Sequence, residues 1–274
     1  MIKYSKSAFS QKLFAHRWGM KQEDLNAMAL RFLRAFDTDD LNEDPTGEPV
    51  NPTIETKTIN GVYLVPIFGV LVKHMEGEGV VDYDWIRDEI SKGIEDDEAQ
   101  NILLWWNSPG GEVLGCESTA NFIAEANQQK PIISYTDALM CSAAYWCGSQ
   151  VSRIYCSIDA DVGAVGVFSA KPDITDMLKK QGITMNVFTS HPDKVAGHPW
   201  DHMSDEHKAM FQADTKEEYD KFLEAVTSKR TISDEYLTGW DYSGEKAVSY
   251  GFADGLINSV AETIAFIGKT QSVS

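Results

Sequence analysis

Five apolar residues in a row, Ile102-Leu-Leu-Trp-Trp106, are cut off by Asn107-Ser-Pro-Gly-Gly111. A strand with one wet face alternates apolar and polar residues, so an unbroken apolar run demands cover on both faces. This restricts the chain to a layered architecture with a sheet inside it. The flanking segments agree. Val62-Tyr-Leu-Val-Pro-Ile67 reads as a strand ending at Gly69, and Asp82 to Ile94 as a helix with Trp85, Ile86, Ile90 and Ile94 on one side. Glu112 to Asn127 is expected to be a helix, Pro131 to Tyr135 a strand, and Ser142 the start of a short helix. Arg153 to Cys156, Ala164 to Phe168 and Ile183 to Phe188 read as strands, with a helix from Pro172 to Gln181 before the last of them. Strands alternating with helices predict an α/β domain with a largely parallel sheet. The ligand site of such a sheet lies at the carboxyl ends of its strands.

The two ends of the chain differ from this middle. Leu25, Met28, Ala29, Phe32, Leu33 and Phe36 fall on one helical face, which predicts an amphipathic helix from Glu23 to Phe36. Asp37 to Thr58 is acidic and carries Pro45, Pro49 and Pro52, a composition that resists helix and interior strand alike. The expected organisation is an N-terminal helical arm over 1–36, a linker over 37–58, the α/β domain over 59–268 and a short tail over 269–274. Within the domain a long charged helix runs from Ser204 to Arg230, with His207, Met210, Phe211, Phe222, Leu223 and Val226 as its apolar stripe. Gly244 to Tyr250 reads as a short helix, Gly251 to Ile257 as a turn into a strand, and a last helix starts at Val260.

Charge and cysteine content narrow the function classes. With 42 acidic and 24 basic residues the net charge is -18, which disfavours a dedicated binder of nucleic acid or of anionic membrane. Cys116, Cys141, Cys147 and Cys156 sit in apolar surroundings with no metal-ligand spacing, and read as reduced, buried residues of a cytoplasmic protein. No apolar stretch approaches a membrane span, and Met1-Ile-Lys-Tyr-Ser-Lys-Ser7 opens no signal sequence, so no membrane anchor is expected.

Three segments could carry chemistry. Ser142, in Cys141-Ser-Ala-Ala-Tyr-Trp146, stands between a strand and a helix, among the unpaired N-H groups of a helix start. It is either a nucleophile beside a ready oxyanion site or a plain N-cap. Gly110 and Gly111 let a backbone approach a ligand closely with its N-H groups, but Pro and Gly also make ordinary turns. The loop from His191 to His202 offers two further chemistries. His191, His198 and His202 could bind a metal, although their spacing matches no standard zinc pattern. Lys194 could be a general base, since a lysine amine taken out of water is neutral near neutral pH, or a solvated charge.

The order of these segments resembles the signal peptide peptidase A (protease IV) family, serine peptidases of the Clp protease/crotonase-like fold, which implies repeated β-β-α or βαβ units. It is most similar to the phage branch of prohead or head-maturation proteases. Val65-Pro-Ile-Phe-Gly69 resembles the family's opening strand, Asn107 to Gly111 its oxyanion turn and Ser142-Ala-Ala-Tyr-Trp146 its nucleophile segment. Gly163-Ala-Val-Gly-Val-Phe168, the interval from Ser142 to Lys194, His198-Pro-Trp-Asp-His-Met203 and Gly244 to Ile257 follow in compatible order. The resemblance implies a Ser-Lys dyad of Ser142 and Lys194, with the N-H groups of Ala143 and of Gly110 or Gly111 as oxyanion donors and no metal or organic cofactor. Many members carry a serine or threonine where this chain has Ala164, and Ser169, Thr189 and Ser190 are the hydroxyls near enough in sequence to replace it.

A polypeptide substrate would add as a strand along the glycines, Glu112 and Val113. The resemblance further implies a ring or barrel-like homo-oligomer and a substrate that is a capsid or scaffold protein, cut in the host cytoplasm or in a phage prohead. Two other readings share the pattern: an assembly or scaffold protein with a weakened dyad, and an acyl-CoA enzyme of the crotonase type.

Overall fold

The computed structural model describes residues 18–20, 55–75 and 79–269. The expected arm helix and most of the expected linker lie outside these residues. Two short strands, β1 (Trp18–Met20) and β2 (Lys57–Ile59), precede β3 (Val62–Phe68), β4 (Val70–Val72) and β5 (Val80–Asp82). Helix α1 (Tyr83–Glu95) follows, its first turn capped by the Asp82 carboxylate, which accepts from the Asp84 N-H. Next come β6 (Asn101–Ser108), β7 (Gly110–Glu112), α2 (Cys116–Gln129), β8 (Ile132–Cys141) and α3 (Ala143–Gly148). The remainder holds β9 (Arg153–Cys156), β10 (Asp161–Gly163), α4 (Thr175–Lys180), α5 (Asp205–Thr227), β11 (Asp241–Ser243), α6 (Gly244–Ser249), β12 (Gly255–Leu256) and α7 (Val260–Lys269).

The architecture is α/β with a mixed, largely parallel sheet. Its strand order is β11-β10-β8-β6-β3-β2, with β9 also on β8 and β12 on β9. Strands β3, β6, β8, β9, β10 and β12 pair in parallel, and β2 and β11 pair antiparallel as edges. Pro66 sits in β3 past the point where β2 stops pairing, at Leu64, so its missing N-H interrupts no ladder on that side. A second, four-stranded sheet has the order β1-β7-β4-β5.

The apolar run of β6 is covered on both faces, as its composition requires. Leu104 and Trp106 join Ile86, Ile90, Ile123 and Tyr145 in the larger core, while Leu103 faces Ile133, Tyr135, Ile264 and Ile267 on the α7 side. Trp106 donates its Nε1-H to Ser134 Oγ at 3.0 Å, so burial leaves that indole satisfied. Behind α3, Trp146 stacks on Phe222 of α5 at 4.7 Å between ring centroids. All four cysteines are buried, and none of them forms a disulfide.

Several expected boundaries move, each for a local reason. Helix α2 starts at Cys116 because Gly110–Glu112 is a strand and Gly115 takes a φ of 93°. The strand expected over Ala164 to Phe168 lies instead at Asp161–Gly163, where Gly163 and Ala164 turn to φ values of 118° and 53°. The helix expected over Pro172 to Gln181 shrinks to Thr175–Lys180. Ile183 to Phe188 forms no regular element and is exposed along its length. Its alternating apolar pattern finds no sheet edge among the described residues. The stripe on α5 divides as well: Phe222 and Val226 are buried, and Met210 is exposed.

Candidate active site

The carboxyl ends of three neighbouring strands meet at Ser142. Up to Trp106 and Thr136, β6 and β8 pair residue for residue; then Ser108 lies opposite Met140, two residues further along. The bulge over Asp137 to Leu139 carries the extra length and re-aims the end of β8. On its other side, Cys141 lies opposite Gly163 of β10. Ser142 is therefore flanked by the Ser108–Gly111 turn and by the Gly163–Gly166 segment.

The backbone of Ser142 is strained. It adopts φ 53° and ψ -121°, a conformation that an L-residue avoids at a cost of about 1–3 kcal/mol. The surroundings hold it there: its N-H donates to Gly163 O at 2.8 Å, and its carbonyl accepts from the Trp146 N-H at 2.8 Å. Its side chain makes no capping bond to α3, so this serine is not an ordinary N-cap. Its hydroxyl donates instead to Gly166 O at 3.3 Å. Ser142 is 2 % exposed, and Ala143 begins a helix that is buried throughout. A serine on a sharp strand-to-helix turn, with first-turn N-H groups beside it, has the geometry of an acyl-transfer nucleophile.

Across from it, Gly110 and Gly111 do two different jobs. Gly110, at φ 105°, directs its N-H to Ser108 Oγ at 3.2 Å. Gly111 pairs with Leu71 of β4, and a β-carbon there would lie 1.9 Å from Leu71 O, so only glycine fits. The side chain of Glu112 is fully buried and accepts from the Lys73 N-H at 2.9 Å, and the Tyr83 hydroxyl donates to Glu112 O at 2.6 Å. Tyr83 is a contributor that the sequence does not mark, because it looks like any apolar residue of α1. Val113 is half-buried and accepts from the Cys116 N-H at 3.0 Å. The free edge expected of this strand is taken. Trp18–Met20 pairs antiparallel with it, Trp18 opposite Glu112, Gly19 opposite Gly111 and Met20 opposite Gly110.

Lys194 sits in a 3-10 turn, Pro192–Val195, with its side chain exposed. The hydrogen bond of Ser142 Oγ goes to Gly166, so the hydroxyl and the amine are not joined in this structure. The three loop histidines are also kept apart by separate partners. His202 pairs with Asp173 at 2.7 Å, His191 with Asp193 at 3.2 Å, and His198 stacks on Trp200. Asp173 is held down to about 2 by the Thr175 hydroxyl and by His202, and His202 is pushed up in turn by its bond to Asp173. Ala164 is buried with its N-H on Trp240 O at 2.9 Å. Thr189, one of the replacement hydroxyls, donates to His191 O at 2.7 Å at the start of the Lys194 turn.

Comparison with known proteins gives these features a context. The model of peptidase family S49 matches residues 124–271. Over 210 residues the chain is 28% identical to capsid assembly protease C of Escherichia phage lambda, covering 74% of this chain and 48% of that protein. It is 27% identical over 210 residues to head-tail preconnector protein GP5 of Enterobacteria phage P21, covering 74% of this chain and 42% of that protein. The chain thus spans about half the length of the curated relatives it matches. Among solved structures, ThnE from S. clavuligerus overlays with a TM-score of 0.44 at 12% identity, covering 81% of this chain and 86% of that chain.

Proposed function

The chain belongs to peptidase family S49, a family of serine-type peptidases, and from that premise we propose that it is an endopeptidase with Ser142 as nucleophile and Lys194 as general base. The observation that carries the serine is its strained backbone at φ 53°. Strain of this kind persists where the surroundings over-determine it, and it gathers at reacting groups. Ser142 Oγ attacks a peptide carbonyl while the neutral Lys194 amine takes its proton. The oxyanion that forms is met by the N-H groups of Ala143 and of Gly110 or Gly111. Lysinium then protonates the leaving amine, and water releases the acyl group by the reverse sequence. This chemistry calls for no metal and no organic cofactor.

An exposed Lys194 cannot act as drawn until something removes it from water. The same stretch of chain exposes Met177, Ile183, Met185, Val187 and, at 95 %, Phe188. Apolar side chains in that number mark a surface that is covered in the working state. The cover we assign is a second copy of the chain in a closed homo-oligomer, which would bring Lys194 of one copy to Ser142 of its neighbour. The substrates are polypeptides, and capsid or scaffold proteins are the class suggested by the phage relatives. No helix among the described residues is long and apolar enough to cross a membrane. The phage relatives suggest the host cytoplasm or a prohead as the place where substrate is met.

Alanine at position 164 keeps one second reading in view, an assembly protein whose dyad is weakened. Cleavage of an unfolded protein and of a capsid or scaffold protein by wild type, Ser142→Ala and Lys194→Ala chains separates the two. Loss of cleavage in both variants, with a fluorophosphonate probe labelling Ser142 in the wild type, is expected. Unchanged cleavage in Ser142→Ala would overturn the nucleophile assignment.

A further inference from the structure

Strand β7 is shaped as a template for an extended peptide, and part of the same chain already lies on it. Two of its three residues are glycines, so it offers a backbone ladder almost free of side chains. Leu71 on one edge and the buried Glu112 side chain, held by the Lys73 N-H, fix it in place. Trp18–Met20 pairs with the other edge, antiparallel, with its C-terminal residue Met20 opposite Gly110. Gly110 follows Ser108, which is opposite Met140, two residues before Ser142. The segment therefore runs toward Ser142 in its N-to-C direction. In acyl transfer to serine, the residues on the N-terminal side of the cut form the acyl part, and they approach the nucleophile in this same sense.

We infer that Trp18–Met20 occupies the track for the acyl side of a peptide substrate, so that the chain carries its own competitor for substrate. This rests on the peptidase reading above for the identity of the track. Main-chain pairing explains why a substrate and an N-terminal segment of unrelated sequence can share one seat. The ladder of the three described residues is weak in itself, but its tether holds it at an effective concentration on the order of mM. The competitor is therefore present at all times and yet yields to a substrate that makes a longer ladder. Ser142, at 2 % exposure, is in keeping with a closed resting state.

The test uses the full chain carrying Ser142→Ala, with and without Gly19→Pro and Met20→Pro together. Neighbouring N-H groups point to opposite edges of a strand, so the double proline removes at least one bonded N-H whichever set faces β7. The probe is a fluorescent peptide with the sequence of Ala15–Asp24. The proline protein is expected to bind it at least about tenfold more tightly by anisotropy, since the tethered competitor is gone. In the chain that keeps Ser142, the two prolines should lower the apparent KM and leave kcat alone. Equal affinity in the two proteins, or no binding to either, overturns the inference. If the proline chain does not fold, hydrogen exchange on the Ser142→Ala chain decides. Added peptide should speed exchange at Trp18–Met20, and unchanged exchange refutes the competition. Tighter binding without any Ser142-dependent proteolysis would sink the peptidase reading alone, and Ser142-dependent proteolysis with equal affinities would sink the competitor alone.

Discussion

The two halves of the proposed dyad sit in opposite kinds of structure. Ser142 stands at the end of a central parallel strand, 2 % exposed, with its backbone bonded to Gly163 and Trp146 and its helix sealed by the stack of Trp146 on Phe222. Lys194 stands on a single 3-10 turn in a stretch that buries little and pairs with no sheet. One half is completed by the fold, and the other has no covering surface among the described residues. A dense core can hold a strained φ at the nucleophile, and the same core has no means of desolvating an amine on an exposed loop. On the proposed reading, assembly would be the condition of activity and a lone copy the inactive form.

This contrast can be broken or sharpened in four ways. Ser142→Ala should lower kcat roughly 10,000-fold or more without loss of thermal stability, because the side chain makes only one long bond to Gly166. Lys194→Ala should cost nearly as much activity in a peptide assay, while stability in urea shifts by no more than about 0.5 kcal/mol, as for other exposed positions. The core of the serine half behaves in the opposite way. Trp146→Ala removes a fully packed indole and should destabilise the chain by about 3–5 kcal/mol in denaturant unfolding. Phe188→Ser, on the lysine half, should leave monomer stability within about 0.5 kcal/mol but weaken self-association in sedimentation experiments. Substantial destabilisation by Phe188→Ser would show that the lysine half is packed within one copy after all.

The smallest effect is one of pH. His202 is raised by its bond to Asp173, so its contribution is complete below its unfolded value of about 6.5 and fades as pH climbs through the raised one. Asp173 is lowered to about 2 by Thr175 and by His202. Its contribution is complete above its unfolded value of about 3.9 and fades as pH falls through about 2. The contact between Asp173, just before α4, and His202, beyond the Lys194 turn, is thus firmest between about pH 4 and 6.5. Limited proteolysis of that loop should speed up modestly from pH 6 to pH 8.5. A His202→Gln chain should show no such change.

Legibility followed the same division. The apolar run of β6, the amphipathic face of α1 and the strand-to-helix turn at Ser142 could be read from sequence because a buried parallel sheet imposes continuous apolar runs and abrupt glycine-rich ends. The strained φ of Ser142 could not, since serine gives no compositional sign of it. Ile183, Met185 and Val187 alternate as a strand should, and the reading failed because an alternating pattern states a need for a partner without supplying one. Trp18–Met20 is illegible in sequence for a different reason: three residues carry no period, and their partner Gly110–Glu112 lies far along the chain. The burial of Glu112 was hidden too, because a glutamate beside a glycine turn looks solvated until the Lys73 N-H is found beneath it.

The most direct measurement mixes two inactive proteins. Ser142→Ala and Lys194→Ala chains, each without activity alone, are combined under conditions where subunits exchange. If Lys194 of one copy serves Ser142 of the next around a closed ring, random mixing leaves about a quarter of the interfaces intact and restores activity to that level. Co-assembly of the two chains, shown by sedimentation, with no return of activity would contradict the account.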